Sequence, residues 1–232
     1  MEHYTAMPSK VRYVGRQLKC LVLASSLALL SFGAAAAGAG RLDAHFGRAN
    51  DGTPDGVASF SLGAGNDRGT AVALQKDGKI VVVGHTTSTG KTSNIAVARL
   101  TPAGVLDKSF GADGGQDGTP DGVVSLDLGE SSDQAVAVVV QADGKIVLAG
   151  NSKAKSSNIV LARLTAAGQL DKTFGADGGK DGTPDGVVSV SLGEGDDVAA
   201  GLALQKDGKI VVVGDRVNGD STDMVVLRVL AN

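Results

Sequence analysis

The sequence predicts an all-β chain made of three repeated four-stranded units. Three observations carry that prediction. Four sequence blocks recur in one order three times. Each copy holds four strand-like runs punctuated by Gly-rich turns. After the first 40 residues, Gly and β-branched residues interrupt every candidate helix. Four-stranded units repeated radially are the pattern of β-propeller blades. The alternative is a β-solenoid, whose coils are normally shorter.

The chain opens on a leader. Lys10, Arg12, Arg16 and Lys19 precede the apolar run Cys20–Phe32, and the small residues Gly33–Gly40 come after it. This is the layout of a secretory signal peptide. Residues 1–37 are assigned to it, with cleavage near Ala37. The apolar run is short for a membrane span, which takes about 20 residues. The alternative is an N-terminal anchor. No later stretch approaches spanning length, so the expectation is a soluble protein, secreted or periplasmic. Cys20 is the one cysteine, so the processed chain would hold no thiol, disulfide or cysteine metal site.

Residues 38–232 carry the repeats, with blades drawn at about 41–105, 106–169 and 170–232. LDAHFG starts at Leu42, LDKSFG at Leu106 and LDKTFG at Leu170. DGTPDG starts at Asp51, Asp117 and Asp181. LQKDGKIVVVG at Leu74–Gly84 recurs at Leu204–Gly214, and the middle copy reads VQADGKIVLAG from Val140. NIAVARL at Asn94–Leu100 answers NIVLARL at Asn158–Leu164 and DMVVLRV at Asp223–Val229. Chance does not produce this order three times.

Within each copy the first run alternates: Val57–Leu62, Val123–Leu128 and Val187–Leu192. A period of two marks a strand buried on one face. The next two runs, such as Ala135–Val140 and Lys145–Ala149, are continuously apolar and suit central strands covered on both faces. Between them stand Asp77-Gly78, Asp143-Gly144 and Asp207-Gly208, a strong hairpin signal because such turns need positive φ. The fourth run ends at Arg99, Arg163 or Arg228.

The blocks Asp77–Gly84 with Ala98–Gly111, and Asp143–Gly150 with Ala162–Gly175, resemble the Delta-60 repeat family of bacterial β-propeller repeats. The resemblance covers essentially all of residues 41–232. It implies a propeller fold and a frequently extracellular setting, and no defined activity or catalytic residues. The DGTPDG insert and the copy number of three depart from the pattern, since closed propellers usually have four to eight blades. LDAHFG opens the repeats, while the third copy reaches Asn232 without its own LDxxFG. The N-terminal block could complete the last blade, and two chains would give six. The expectation is a possible homodimer, or an open arc with exposed strand edges that invite pairing.

Charge and side-chain inventory exclude several functions. Without the first 40 residues, with their four basic groups and Glu2, the chain's 22 basic and 25 acidic residues fall to 18 and 24, near −6. That argues against nucleic acid, which needs a basic footprint. Asp113, Asp117 and Asp121, and again Asp177, Asp181 and Asp185, stand four apart in one loop. They could wrap Ca²⁺, but the spacing is not that of an EF-hand, and Asp, Gly and Pro are turn formers; turns are the preferred reading. No other cofactor, metal site or catalytic residue is expected. Arg99, Arg163 and Arg228 against Asp107 and Asp171 are read as blade-to-blade ion pairs. Gly84–Ser93 looks like a phosphate loop but has one residue too many before Gly-Lys. His45 and His85 occupy unrelated repeat positions, and His45 is read as the counterpart of Lys108 and Lys172, a surface substitution.

The loops His85–Asn94, Asn151–Asn158 and Asp215–Thr222 differ most among copies, and binding usually lives in loops on a rigid scaffold. The functional expectation is an exported binding or structural module of the cell envelope or extracellular space, with an unknown protein or glycan as partner. The alternative is a secreted hydrolase or lyase using loop carboxylates.

Overall fold

A computed structural model describes residues 40–47, 54–62, 65–87, 92–112, 121–128, 132–153, 155–175 and 185–231. The leader assigned to 1–37 lies outside them, as do Asp113, Asp117, Asp177 and Asp181 of the calcium reading. Contacts divide the chain into Met1–Arg41 and Leu42–Asn232, and the second unit holds all the strands.

Eleven strands are described, in three antiparallel sheets. The first sheet runs β1 (Asn66–Leu74), β2 (Ile80–Thr87), β3 (Ser93–Leu100) and β4 (Val123–Leu126) in that order. The second repeats it with β5 (Ser132–Val140), β6 (Ile146–Lys153), β7 (Ser157–Leu164) and β8 (Val187–Val190). The third holds β9 (Asp197–Leu204), β10 (Ile210–Asn218) and β11 (Ser221–Val229), with β10 central. No helix occurs among the described residues, so none there could cross a membrane. The fold is propeller-like. Antiparallel meanders set aside the solenoid, which stacks parallel coils.

The middle sheet explains the continuous apolar runs. Ile146, Leu148, Val160 and Ala162 pack toward the first sheet, and Val147, Ala149, Ile159 and Leu161 toward the third. Alternate residues of β6 and β7 thus enter different cores, and both faces are dry.

Local chemistry fixes each hairpin. In the first, the Gly78 N–H donates to the Gln75 carbonyl at 3.0 Å, and the Gln75 N–H to the Lys79 carbonyl at 2.8 Å. Gly78 takes φ +81°, the left-handed position such a loop demands. Each sheet also carries a β-bulge where the register skips Thr70, Val136 or Ala200. Opposite the bulges stand Gly84, Gly150 and Gly214, where a Cβ would meet the carbonyl oxygen of Arg68, Gln134 or Val198. Only Gly lets the backbones approach that closely.

Sheets and repeats are offset. β4 and β8 are the alternating runs that open the second and third copies, yet they close the sheets of the first and second. The sheets therefore span 66–126 and 132–190, one strand out of step with blades drawn at 41–105 and 106–169. The first alternating run, Val57–Leu62, joins no ladder among the described residues; Val57 makes one isolated parallel bridge to Gly47.

Candidate functional site

The hairpins have two ends. At the Asp-Gly end, each of the first two sheets carries a buried arginine station. Arg99 Nε donates to Asp107 Oδ2 at 2.8 Å, and one terminal nitrogen donates to Ser109 Oγ at 3.1 Å. The other donates to the Ala166 carbonyl of the next sheet's turn at 2.5 Å. The guanidinium lies 4.5 Å from the Phe110 ring centroid, at cation–π distance. Arg163 repeats this with Asp171 at 2.7 Å, Thr173 Oγ1 at 3.0 Å, the Ala231 carbonyl and Phe174 at 4.6 Å. Lys79 and Lys145 add a second cation to each carboxylate, both at 3.0 Å.

The expected ion pairs form at Arg99 and Arg163 with Asp107 and Asp171, across the blade boundaries as drawn but not between sheets. Arginine and aspartate belong to one sheet and its own connector, because the turn at Thr101–Val105 folds the chain back on β3. What crosses to the next sheet is a hydrogen bond to a backbone carbonyl. Arg228 departs further: it is exposed and has no ion pair among the described residues. His45 is also corrected. The His45, Ser109 and Thr173 N–H groups each donate to the aspartate two residues earlier, at 2.9, 3.0 and 3.0 Å. His45 therefore stands at the serine or threonine position, not that of Lys108 and Lys172; it is exposed.

Burial would raise the Asp107 carboxyl. Hydrogen bonds from the Ser109 hydroxyl and N–H, the Lys79 ammonium and the Arg99 charge outweigh it, holding the group well below the usual range. Asp171 is held down in the same way by Thr173, Lys145 and Arg163 against its burial. A depressed carboxyl stabilises the fold fully above its unfolded pKa of about 3.9 and loses that contribution as pH falls toward its folded value. The urea midpoint should hold steady from pH 6 to about pH 4 and then fall steeply, and the variant Asp107→Asn with Asp171→Asn should flatten that fall. An unchanged midpoint down to pH 2 would refute it.

Between the Asp-Gly turns of the first two sheets lies a cleft of about 430 Å³, bordered by Lys76, Lys79, Arg99, Asp77 and Asp143. Its lysines are engaged: Lys79 reaches Asp107 at 3.0 Å and Asp77 at 3.7 Å, and Lys76 donates to the Ala142 carbonyl at 3.2 Å. This end is a joint between sheets.

The opposite end carries the unlike loops. The register pairs Thr87 with Ser93, Lys153 with Ser157 and Asn218 with Ser221, so the connections differ in length. A cleft of about 240 Å³ opens there between the second and third sheets, beside Ser132, Gln134, Asn151, Lys153, Ser157 and Asp196. Asp196 ties it together, accepting from the Ser157 N–H at 2.7 Å and Lys153 Nζ at 3.1 Å. Asn151 Oδ1 accepts from the Ala199 N–H at 2.7 Å. None of these residues except the loop positions themselves was singled out from sequence, since Asp196 comes from a different copy. His85 sits on β2, its basicity lowered by burial and then by the Arg68 charge. The next element along the chain is β3, so no helix terminus is there to hold a phosphate. Among the described residues no cluster of His, Cys, Asp and Glu could hold a metal ion.

Three segments, residues 75–110, 141–174 and 205–232, match one family model. Its description is "Domain of unknown function (DUF5122) beta-propeller". The matched segments cover β2–β3, β6–β7 and β10–β11, and the first two run through the arginine stations as far as Phe110 and Phe174. The match agrees with the sheets in assigning a propeller repeat. No curated protein matches the chain. Among solved structures, a protein of unknown function from Bacteroides caccae is similar at 11% identity and a TM-score of 0.33, over 70% of this chain. This chain spans 61% of that one.

Proposed function

We propose that this chain is an exported binding or structural module of the cell envelope or extracellular space, its repeats being of the Delta-60 kind. The partner is a protein or glycan met at the loop end, and the chain enters no membrane once the leader is removed. One observation carries the reading. The central hairpins repeat one strand register, while the β2–β3, β6–β7 and β10–β11 connections at one end differ in length and side chains. Repetition serves architecture; local divergence on a rigid frame serves recognition.

The test is loop exchange. Replacing Asp215–Thr222 by the sequence of Asn151–Asn158 should abolish retention on envelope or glycan material, leaving the melting temperature within a few degrees. Retention that survives exchange of all three loops would end the proposal.

A further inference from the structure

Three features meet at each joint between neighbouring sheets, and all three are unfilled at the two outer sheets. The first is a strand. β4 pairs with β3 through Ile95–Leu126 and Val97–Val124, and β8 pairs with β7 through Ile159–Val190 and Leu161–Val188. β11 has β10 on one side and no strand on the other among the described residues. The equivalent run, Val57–Leu62, has no ladder among the described residues.

The second is the arginine station. Arg228 occupies the register place of Arg99 and Arg163 yet is exposed. Among the described residues Lys209 pairs with Asp207 and no second carboxylate, whereas Lys79 and Lys145 each reach one. The matching carboxylate and ring are Asp43 and Phe46. The Phe46 N–H donates to the Asp43 carbonyl at 3.0 Å and the Gly47 N–H to Ala103 at 2.9 Å, as Phe110 does with Asp107 and Gly111 with Ala167. Leu42–Gly47 is therefore already seated on the first sheet in the joint's own geometry, with the Gly56 N–H donating to the Phe46 carbonyl at 2.8 Å, and Asp43 has no cation among the described residues.

The third is an apolar face. Ile95 and Ile159 are 0% exposed, while Met224 at the same register place is 80% exposed, with Val226 at 65%. On the first sheet Val72 and Leu74 are 62% and 71% exposed, although their counterparts Val138 and Val140 pack into the core.

We propose that the free edge of β11 is the seat of Leu42–Gly47 and Val57–Leu62 of a second copy of this chain. Val57–Leu62 of one copy adds a fourth strand to β11 of the other, Phe60 opposite Met224 and Ala58 opposite Val226. Asp43 of the first copy receives Arg228 and Lys209 of the second, and Phe46 lies under the guanidinium. Val72 and Leu74 cover Met224 and Val226. His45 replaces the hydroxyl that accepts from arginine inside the chain, so this joint has one hydrogen bond fewer. Main-chain pairing supplies affinity, and the charges and apolar side chains set register. Two copies closing two identical joints form a two-fold ring of six sheets, within the four to eight of closed propellers.

The test is light scattering behind a sizing column, with circular dichroism to confirm folding. The purified chain should have twice its own mass. Arg228→Asp alone and Asp43→Arg alone each place like charges at both joints and should run as monomers. Mixed one to one, they restore opposite charges at both joints and should return to the doubled mass. Val226→Lys, an exposed change that leaves residues 42–62 intact, should also be monomeric. A wild-type monomer, or two folded variants that stay apart when mixed, overturns the joint.

Discussion

Replacing Arg163 by Ala should be among the most damaging single changes in the chain, costing about 3 kcal/mol, the low end of what removing one partner from a buried pair does. The side chain is buried and ties three segments together: β7, its connector at Asp171 and Thr173, and the Ala231 carbonyl of the third sheet. Truncation leaves that carbonyl and the Thr173 hydroxyl short of a donor and strips the cation from the Phe174 ring. Asp171 would retain Lys145, so the loss should fall short of a fully abandoned charge. Arg163→Lys separates the causes. It keeps a charge but cannot reach a carboxylate and a carbonyl at once with a planar fork, and should recover less than half of the loss. Arg228→Ala provides the contrast, because that side chain is exposed; with the chain held monomeric it should shift the denaturation midpoint within about 0.5 kcal/mol. Equal losses at 163 and 228 would show that the stations are not what holds neighbouring sheets together.

Gly150→Ala should cost about 3 kcal/mol, at the upper end of what one extra methyl does in a packed interior. Its Cβ would press into the Gln134 carbonyl oxygen and stand 3.0 Å from the Ala135 Cα, both backbone atoms that no rotamer change can move. The strand is central, with β5 and β7 on either side, so it cannot bow away. Gly144→Ala, one hairpin turn earlier, tests a different penalty. Gly144 has φ +86° and only the Ala166 Cβ at 3.6 Å, so the cost there is left-handed backbone, about 1–2 kcal/mol. A chemical denaturation series should rank 150 well above 144; the reverse order would mean that the bulge relaxes and the close approach is not enforced.

The hairpins were legible in the sequence because their signals are local. Asp-Gly sets its own turn, and a continuous β-branched run needs two covered faces wherever it lies. Which sheet an alternating run would join was not legible. Val123–Leu126 is adjacent to β5 in sequence and pairs with β3 across a long connector, a non-local choice invisible to periodicity. The arginine positions and their aspartates were legible, but the sheet that each pair shares was not. Eight residues from Arg99 to Asp107 look like separation until the turn at Thr101–Val105 brings them together. Arg228 shows the same limit from the other side. Repeat equivalence transfers a residue's register, and its surroundings only where the neighbouring sheet is also present. At the loop end, the lengths were legible and the Asp196 clasp was not, since it joins a β6–β7 loop to residues of the next copy.

The offset between sheet and repeat would impose an order on folding wherever the chain is delivered N-terminus first. The first sheet cannot close when β3 is out, because its outer strand lies beyond the connector, at Val123–Leu126. By then the Asp107 turn that clamps Arg99 has already emerged, so the clasp can form before the last strand docks. The second sheet waits in the same way for Val187–Val190. Until then β3 and β7 are bare edges, open to pairing with nascent neighbours. A stop codon placed between Leu164 and Val187 would thus leave the second sheet short of its own outer strand, and a truncated product would betray itself by aggregation rather than by loss of a third of its fold.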